Sequence, residues 1–233
     1  YDPELSWYTA SFGQDPLQAF TAIQSFRTDL YQGVLRGTRG TLWGAAGNSL
    51  DKASALIAML RLSGIPARYR HGTLPATQAQ ALIASLFPAS GGLAGYLPAG
   101  TELADPVNDP ELIALASDHW WVEAYLLGSG WTDLDPTYPN AAVGQSFANP
   151  SGDGSDRSAV VPADQHHTLQ VRLKVEQYST FPQGGANLSS FYALDQTFDV
   201  SALAGKRLTL GHLVSEALAG GVFSSLTRTY TPY

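Results

Sequence analysis

The 233-residue chain contains no cysteine and a single methionine, and Asp, Glu, Lys and Arg together make up only 14% of it. Without cysteine there is no disulfide, no thiolate metal site and no thiol nucleophile. Thirteen basic residues stand against twenty acidic ones, for a formal net charge of −7. Binding to nucleic acid needs clustered Lys and Arg, so no nucleic-acid partner is expected, nor is a polybasic membrane surface. No apolar run reaches the roughly 20 residues of a membrane-spanning helix. There is no P-loop, no Gly-x-Gly-x-x-Gly fingerprint and no other cofactor motif, so no cofactor is expected.

What is present suits a folded domain. Hydrophobic residues reach 44%, with 5 Trp and 11 Tyr, enough for a core and well away from a disordered composition. Low charge with abundant Gly, Ser, Thr and Pro leads us to expect a periplasmic, cell-surface or secreted bacterial protein. The chain starts at Tyr1-Asp2-Pro3 and stops at Thr231-Pro232-Tyr233, which we take as a segment of a larger polypeptide.

Residues 1–15 read as an irregular or short-strand lead-in. Over 15–31, Leu17, Phe20, Ile23, Phe26 and Leu30 recur at helical spacing, with Asp15 as N-cap and Pro16 at the first helical position. A Gly-rich passage fills 32–48. The next helix, from about Ser49 to Leu62, is apolar on almost every side, the pattern of a buried helix, and Gly64 and Pro66 stop it. Ala67–Thr73 reads as a strand, 77–87 as a short helix, and DHWWVEAYL (118–126) and WTDLDPTYP (131–139) as further strands. Residues 140–164 look like a linker. TLQVRLKVEQY (168–178) alternates apolar and polar residues and is the clearest half-buried strand. The boundary falls near residue 160, between an α+β part (1–160) and a β-rich extension (161–233).

Four stretches carry the chemistry: Gly47-Asn48-Ser49-Leu50-Asp51-Lys52-Ala53, Arg61 through Gly64-Ile65-Pro66-Ala67-Arg68, His119-Trp120-Trp121-Val122-Glu123, and Gly130-Trp131 through Asp135-Pro136-Thr137. In this order they resemble the core of the transglutaminase-like, or papain-like, superfamily. Its pattern is a Gly-x-Cys-x-Asp-x-Ala helix start, a Gly-Ile-Pro-Ala-Arg turn, a His-x-Trp-Val-Glu strand and a Gly-Trp-x-x-x-Asp-Pro-Thr strand. The resemblance covers about residues 16–140. It implies an α+β core with the nucleophile helix packed on an antiparallel sheet, and a cysteine, a histidine and an aspartate as triad. Carried over, the histidine is His119 and the aspartate Asp135, while Ser49 occupies the cysteine position.

That departure decides between two expectations. A thiol titrates near 8.5 and is readily held as a thiolate, whereas a hydroxyl must lose its proton during attack. Either Ser49, His119 and Asp135 form a working triad for amide or ester chemistry on a protein or peptide, or the chain is an inactive relative, natural or engineered from Cys to Ser, that binds peptide or glycan. The bland role for Ser49 is a helix cap. The resemblance suggests Trp43 as an oxyanion donor beside the Ser49 N–H, against simple packing. Asn48 adjoins the cleft, and Trp121 and Glu123 share a strand face with His119, with Glu123 alternatively a partner of Arg68. For Asp51 and Arg68 we expect a helix-to-turn ion pair near the site. A third reading makes Glu123, Asp51 or Asp135 an acid/base pair on a glycan, with the many aromatics stacking on sugar. The acidic run DPVNDPE (105–111) has Ca²⁺-type donors, but its prolines favour a turn, and no required metal is expected.

Overall fold

The computed structural model describes residues 3–12, 15–88, 98, 100–150, 152, 154–181, 185–207, 209–219 and 222–232. The chain divides into two compact units, Tyr1–His166 and His167–Tyr233.

The first unit is α+β. Helices α1 (Pro3–Ser11) and α2 (Pro16–Gln24) lead to a two-residue strand β1 (Arg27–Thr28), helix α3 (Gly37–Gly44), strand β2 (Ala46–Gly47) and the 14-residue helix α4 (Ser49–Leu62). Strand β3 (Ala67–Thr73), helices α5 (Ala76–Leu86) and α6 (Pro110–Ser117), and strands β4 (Asp118–Leu126), β5 (Gly130–Leu134), β6 (Asn149–Pro150) and β7 (Arg157–Ser158) complete it. The main sheet runs β5-β4-β3-β6, with β7 also on β3, and all its pairings are antiparallel.

Helix α4 is the spine of this unit. Leu50, Ala53, Leu56, Ile57 and Leu60 are buried against Phe20 and Ile23 of α2, Leu42 of α3, and Tyr69, Trp120, Val122 and Leu134 of the sheet. Helical neighbours on all sides but the sheet explain why its apolar residues wrap the whole circumference. A second cluster joins Leu82 and Ile83 of α5, Ala116 of α6, and Trp121. These two cores carry the sheet on opposite strand faces, because successive residues of β4 point alternately to each.

Five local expectations are corrected. Residues 3–11 form a helix rather than an irregular lead-in: Tyr8 Oη donates to Leu42 O at 3.1 Å, and Leu5, Tyr8 and Phe12 pack on the core. Helix α2 ends at Gln24, earlier than the periodicity implies. Gln24 donates to the carbonyls of Tyr138 and Ala141, and the chain then pairs in parallel with β2, Thr28 opposite Gly47. The Gly-rich passage contains α3, whose start is held by a carboxylate from α4. Strand β5 stops at Leu134, so that Asp135 begins a turn in which it accepts the Thr137 N–H. The apparent linker 140–164 also builds the sheet edge: β6 and β7 lie on β3, and buried Asp156 takes the guanidinium of Arg70 at 2.5 Å. The acidic run at 105–111 is a turn and a cap, with Asp109 accepting from the N–H groups of Glu111 and Leu112 at the start of α6; part of the Gly-rich loop 90–100 lies outside the described residues.

The second unit consists of two long antiparallel hairpins. Strand β8 (Thr168–Phe181) pairs with β9 (Gly185–Asp199), a short helix α7 (Val200–Leu203) follows, and β10 (Leu210–Ala219) pairs with β11 (Val222–Pro232). Among the described residues no helix is long and apolar enough to cross a membrane.

Candidate active site

Helix α4 starts from a tightly specified loop. The cap is Asn48, not Ser49: the Asn48 side chain accepts the Asp51 N–H at 2.8 Å and donates to the carbonyls of Tyr31 and Gly33 at 2.8 and 2.7 Å. With both amide N–H groups donated and its oxygen on the Asp51 N–H, Asn48 shapes the loop. Ser49 is thereby placed at the first helical position with its side chain released from capping. Gly47 is required one residue before the cap, since a Cβ there would stand 2.9 Å from Asp51 Cβ.

Asp51 ties the loop down. Fully buried, it accepts from Tyr31 Oη at 2.6 Å and from the N–H groups of Leu35, Arg36 and Gly37 at 3.3, 3.0 and 2.7 Å. This places a carboxylate on the N-terminus of α3, where the helix dipole favours an anion, and it explains a helix in so glycine-rich a stretch. Burial pushes the Asp51 pKa up and these hydrogen bonds oppose the rise. Burial and then the Asp51 charge push the Tyr31 phenol far above its usual range. Asp51→Ala leaves three backbone donors and one hydroxyl unpaired inside the protein, and should cost about 3 kcal/mol or more. Urea denaturation measures it, and a midpoint unchanged from the native chain contradicts this role.

The expected ion pair between Asp51 and Arg68 does not form. Arg68 lies opposite Glu123 in the β3–β4 register, donates to it at 2.5 Å, and covers the Trp131 ring at 4.1 Å. Glu123 in turn is held by Arg70 and Arg157 at 3.2 and 3.4 Å. Three guanidiniums around one buried carboxylate make Glu123 the centre of an ionic network, not a cleft group. Cross-strand pairing, invisible in the β4 sequence alone, decides this.

His119 and Asp135 do come together. His119 Nε2 lies 2.8 Å from Asp135 Oδ2, and the two side chains are 1% and 0% exposed. The imidazole stands between Trp121, stacked with ring centres 6.3 Å apart, and Tyr138 at 5.8 Å. Trp121 is itself locked, its Nε1–H donating to Asp133 at 2.9 Å, so it backs the imidazole instead of lining a binding cleft. Burial, then the Asp135 charge, pushes the Tyr138 phenol far above its usual range.

A narrow cleft with room for about one water is lined by Ser49 and His119, together with Thr28, Tyr31, Asn48 and Thr137. Ser49 Oγ accepts a hydrogen bond from the Trp120 N–H at 3.2 Å, and no hydrogen bond joins it to the His119 ring among the described residues. With Nε2 on Asp135, Nδ1 is the ring nitrogen that remains for chemistry. Trp43 is elsewhere. It is half exposed in α3 and lines a surface hollow with Glu4, Trp7 and Tyr8, with Arg39 over its ring at 5.7 Å; a helical turn carries the indole away from Ser49.

Three residues around this cleft escaped the sequence reading: Thr28, Tyr31 and Lys52. A signal existed for Lys52, a lysine inside a helix apolar all round. It is fully buried and its Nζ donates to Thr28 Oγ1 at 3.0 Å.

Comparison with known proteins bears on the whole arrangement. The model of the transglutaminase-like superfamily matches residues 14–136, just over half the chain and the region holding the four motifs up to Pro136. No curated protein matches. Among solved structures the chain is similar, at 16% identity and a TM-score of 0.37, to a candidate cysteine protease from Cytophaga hutchinsonii, with 84% of this chain and 51% of that one covered. The chain therefore spans about half the length of that protein. With the helix start, the Gly-Ile-Pro-Ala-Arg turn and the His and Asp strands assembled on an antiparallel sheet, the chain belongs to the transglutaminase-like superfamily and carries serine at the family's cysteine position.

Proposed function

We propose that the chain is an acyl-transfer enzyme that hydrolyses amide or ester bonds in a protein or peptide. Ser49 Oγ adds to the carbonyl carbon, and the His119–Asp135 pair handles protons, Asp135 holding the imidazole with Nδ1 toward the cleft. The observation that carries this reading is the buried 2.8 Å contact between His119 and Asp135 in a cleft that Ser49 also lines. Oxyanion stabilisation falls to the backbone at the start of α4 and not to Trp43. The N–H groups of Ser49 and Leu50 have no acceptor among the described residues, and a helix N-terminus favours developing negative charge.

A second reading rests on one contact. The Trp120 N–H engages Ser49 Oγ at 3.2 Å, which suits an inert module that keeps the scaffold and binds a peptide. The glycan-cleaving alternative loses its groups, because Glu123 is held by three arginines, Asp51 by four hydrogen bonds and Asp135 by His119.

A fluorophosphonate probe separates the two readings. In the hydrolase the probe labels Ser49, the Ser49→Ala variant stays unlabelled, and His119→Ala no longer turns over activated esters or peptides. A folded native chain that takes no label is the inert module.

A further inference from the structure

Lys52 is an expensive residue where it stands. It has no exposed surface, and among the described residues the one hydrogen bond of its Nζ goes to a neutral hydroxyl. The negative charges that act on it, Asp135 and Asp29, are engaged elsewhere, Asp135 with His119 and Asp29 with Arg27 and Arg36. Burial holds its pKa down to about 8, against the pull of those two carboxylates. An isolated buried ammonium of this kind is readily neutralised.

Its position relative to Ser49 gives that property a use. Residues three apart on a helix share a face, with Cβ atoms about 5–6 Å apart, and helical side chains lean toward the N-terminus, here from Lys52 toward Ser49. Thr28, which receives Nζ, lines the Ser49 cleft and sits opposite Gly47 in the β1–β2 register. Ser49-Leu50-Asp51-Lys52 is thus a Ser-x-x-Lys turn at a helix start, a spacing at which a lysine can serve a nucleophilic serine. The family pattern Gly-x-Cys-x-Asp-x-Ala leaves this lysine position open.

We propose that Lys52 is the base that takes the proton of Ser49, and that His119 with Asp135 serves the second half of the reaction. The inference rests on the acyl-transfer reading above. A change in the outer torsions of Lys52 carries its neutral Nζ from Thr28 toward Ser49 Oγ. As Oγ bonds to the substrate carbonyl carbon, its proton passes to Nζ. The tetrahedral intermediate collapses, the carbon–nitrogen or carbon–oxygen bond breaks, and the leaving group takes that proton from the Lys52 ammonium. Water then adds to the acyl-enzyme ester and gives a proton to His119, which returns it to Ser49 Oγ as the acid is released. A thiol that rests as thiolate needs no such base; a hydroxyl does, which gives a reason for a lysine beside a serine that replaces the cysteine.

The test is the rate of fluorophosphonate labelling of Ser49 against pH, in the native chain and in Lys52→Met and His119→Gln, with urea denaturation confirming that each is folded. The expected result is a native rate that rises to a plateau with its midpoint near pH 8, set by the Lys52 amine. Lys52→Met should label about 100-fold more slowly or worse, within the range that general bases supply, and should lose that midpoint. His119→Gln should slow labelling by less than about tenfold yet halt ester turnover after one equivalent of product. Native-rate labelling in Lys52→Met, or loss of labelling confined to His119→Gln, overturns the proposal while leaving Ser49 as nucleophile. A native chain that takes no label overturns the acyl-transfer reading and the proposal with it. The pH midpoint is a readout that a merely structural lysine would not set.

Discussion

Asp135→Asn should lower ester or peptide turnover by about 10⁴-fold, as when the orienting carboxylate of a serine triad is replaced by an amide. The substitution preserves size, so the fully buried site stays filled. What it removes is the negative charge facing His119 Nε2 at 2.8 Å, which fixes the tautomer with the proton on Nε2 and the lone pair on Nδ1. An amide at 135 can instead present its own N–H to Nε2, which then becomes the acceptor and leaves Nδ1 protonated and unable to act as a base. The measurement is kcat and KM on an activated ester, with circular dichroism to confirm folding. The loss should sit in kcat. Turnover within tenfold of the native chain would remove Asp135 from the proposed mechanism.

Lys52→Met should make the protein more stable at neutral pH, by about 2 kcal/mol. The Lys52 pKa falls from the ordinary 10.5 to about 8 on folding. Below pH 8 the amine is charged in both states, and the folded chain bears the full penalty, about 3 kcal/mol. Between about 8 and 10.5 the folded chain releases its proton while the unfolded chain keeps it, so this penalty fades and native stability rises with pH. Methionine carries no such penalty and gives up a hydrogen bond to Thr28 worth about 1 kcal/mol. The gap between variant and native chain should therefore be widest near pH 7 and should close toward pH 10. Tyr31, Tyr69 and Tyr138, whose burial raises their pKa values, pull stability down above pH 10 in both proteins and cancel in the difference. Urea denaturation at pH 7 and pH 9.5 measures it, and equal stabilities at both would show that the lysine is not desolvated as described. A lysine whose removal stabilises the fold is one with a use beyond the fold.

The family was legible because its signals are contiguous. Gly47 through Ala53, Gly64 through Arg68, His119 through Glu123 and Gly130 through Thr137 each encode one turn or strand through near-neighbour geometry, and their order places them on one scaffold. The helix at 49–62 and the strands at 67–73 and 118–126 follow from periodicity for the same reason. Trp43, Trp121 and the Asp51–Arg68 pair were misread as to setting, whereas the pairing with Arg68, one of the two roles offered for Glu123, is the one that forms. Glu123 meets Arg68 and Arg70 across 55 and 53 residues, and Arg70 meets Asp156 across 86. No local pattern reports such contacts. The apparent linker 140–164 was misread similarly: its Asn, Ser, Gly and Pro content describes a loop, while two of its dipeptides complete the edge of β3.

Taken by itself, the sequence determined the superfamily, the α+β class and the identity of the atom at the nucleophile position, an oxygen instead of a sulfur. These depend on residue type and on spacing along a helix or strand, which the backbone translates directly into geometry. Only the tertiary structure decided that Asn48 is the cap and Ser49 is released from that duty, that Asp51 holds a loop by four hydrogen bonds, and that Lys52 is buried with its pKa drawn down. Burial and charge pairing are properties of neighbours, and many neighbours of α4 are supplied by segments 14 to more than 80 residues away.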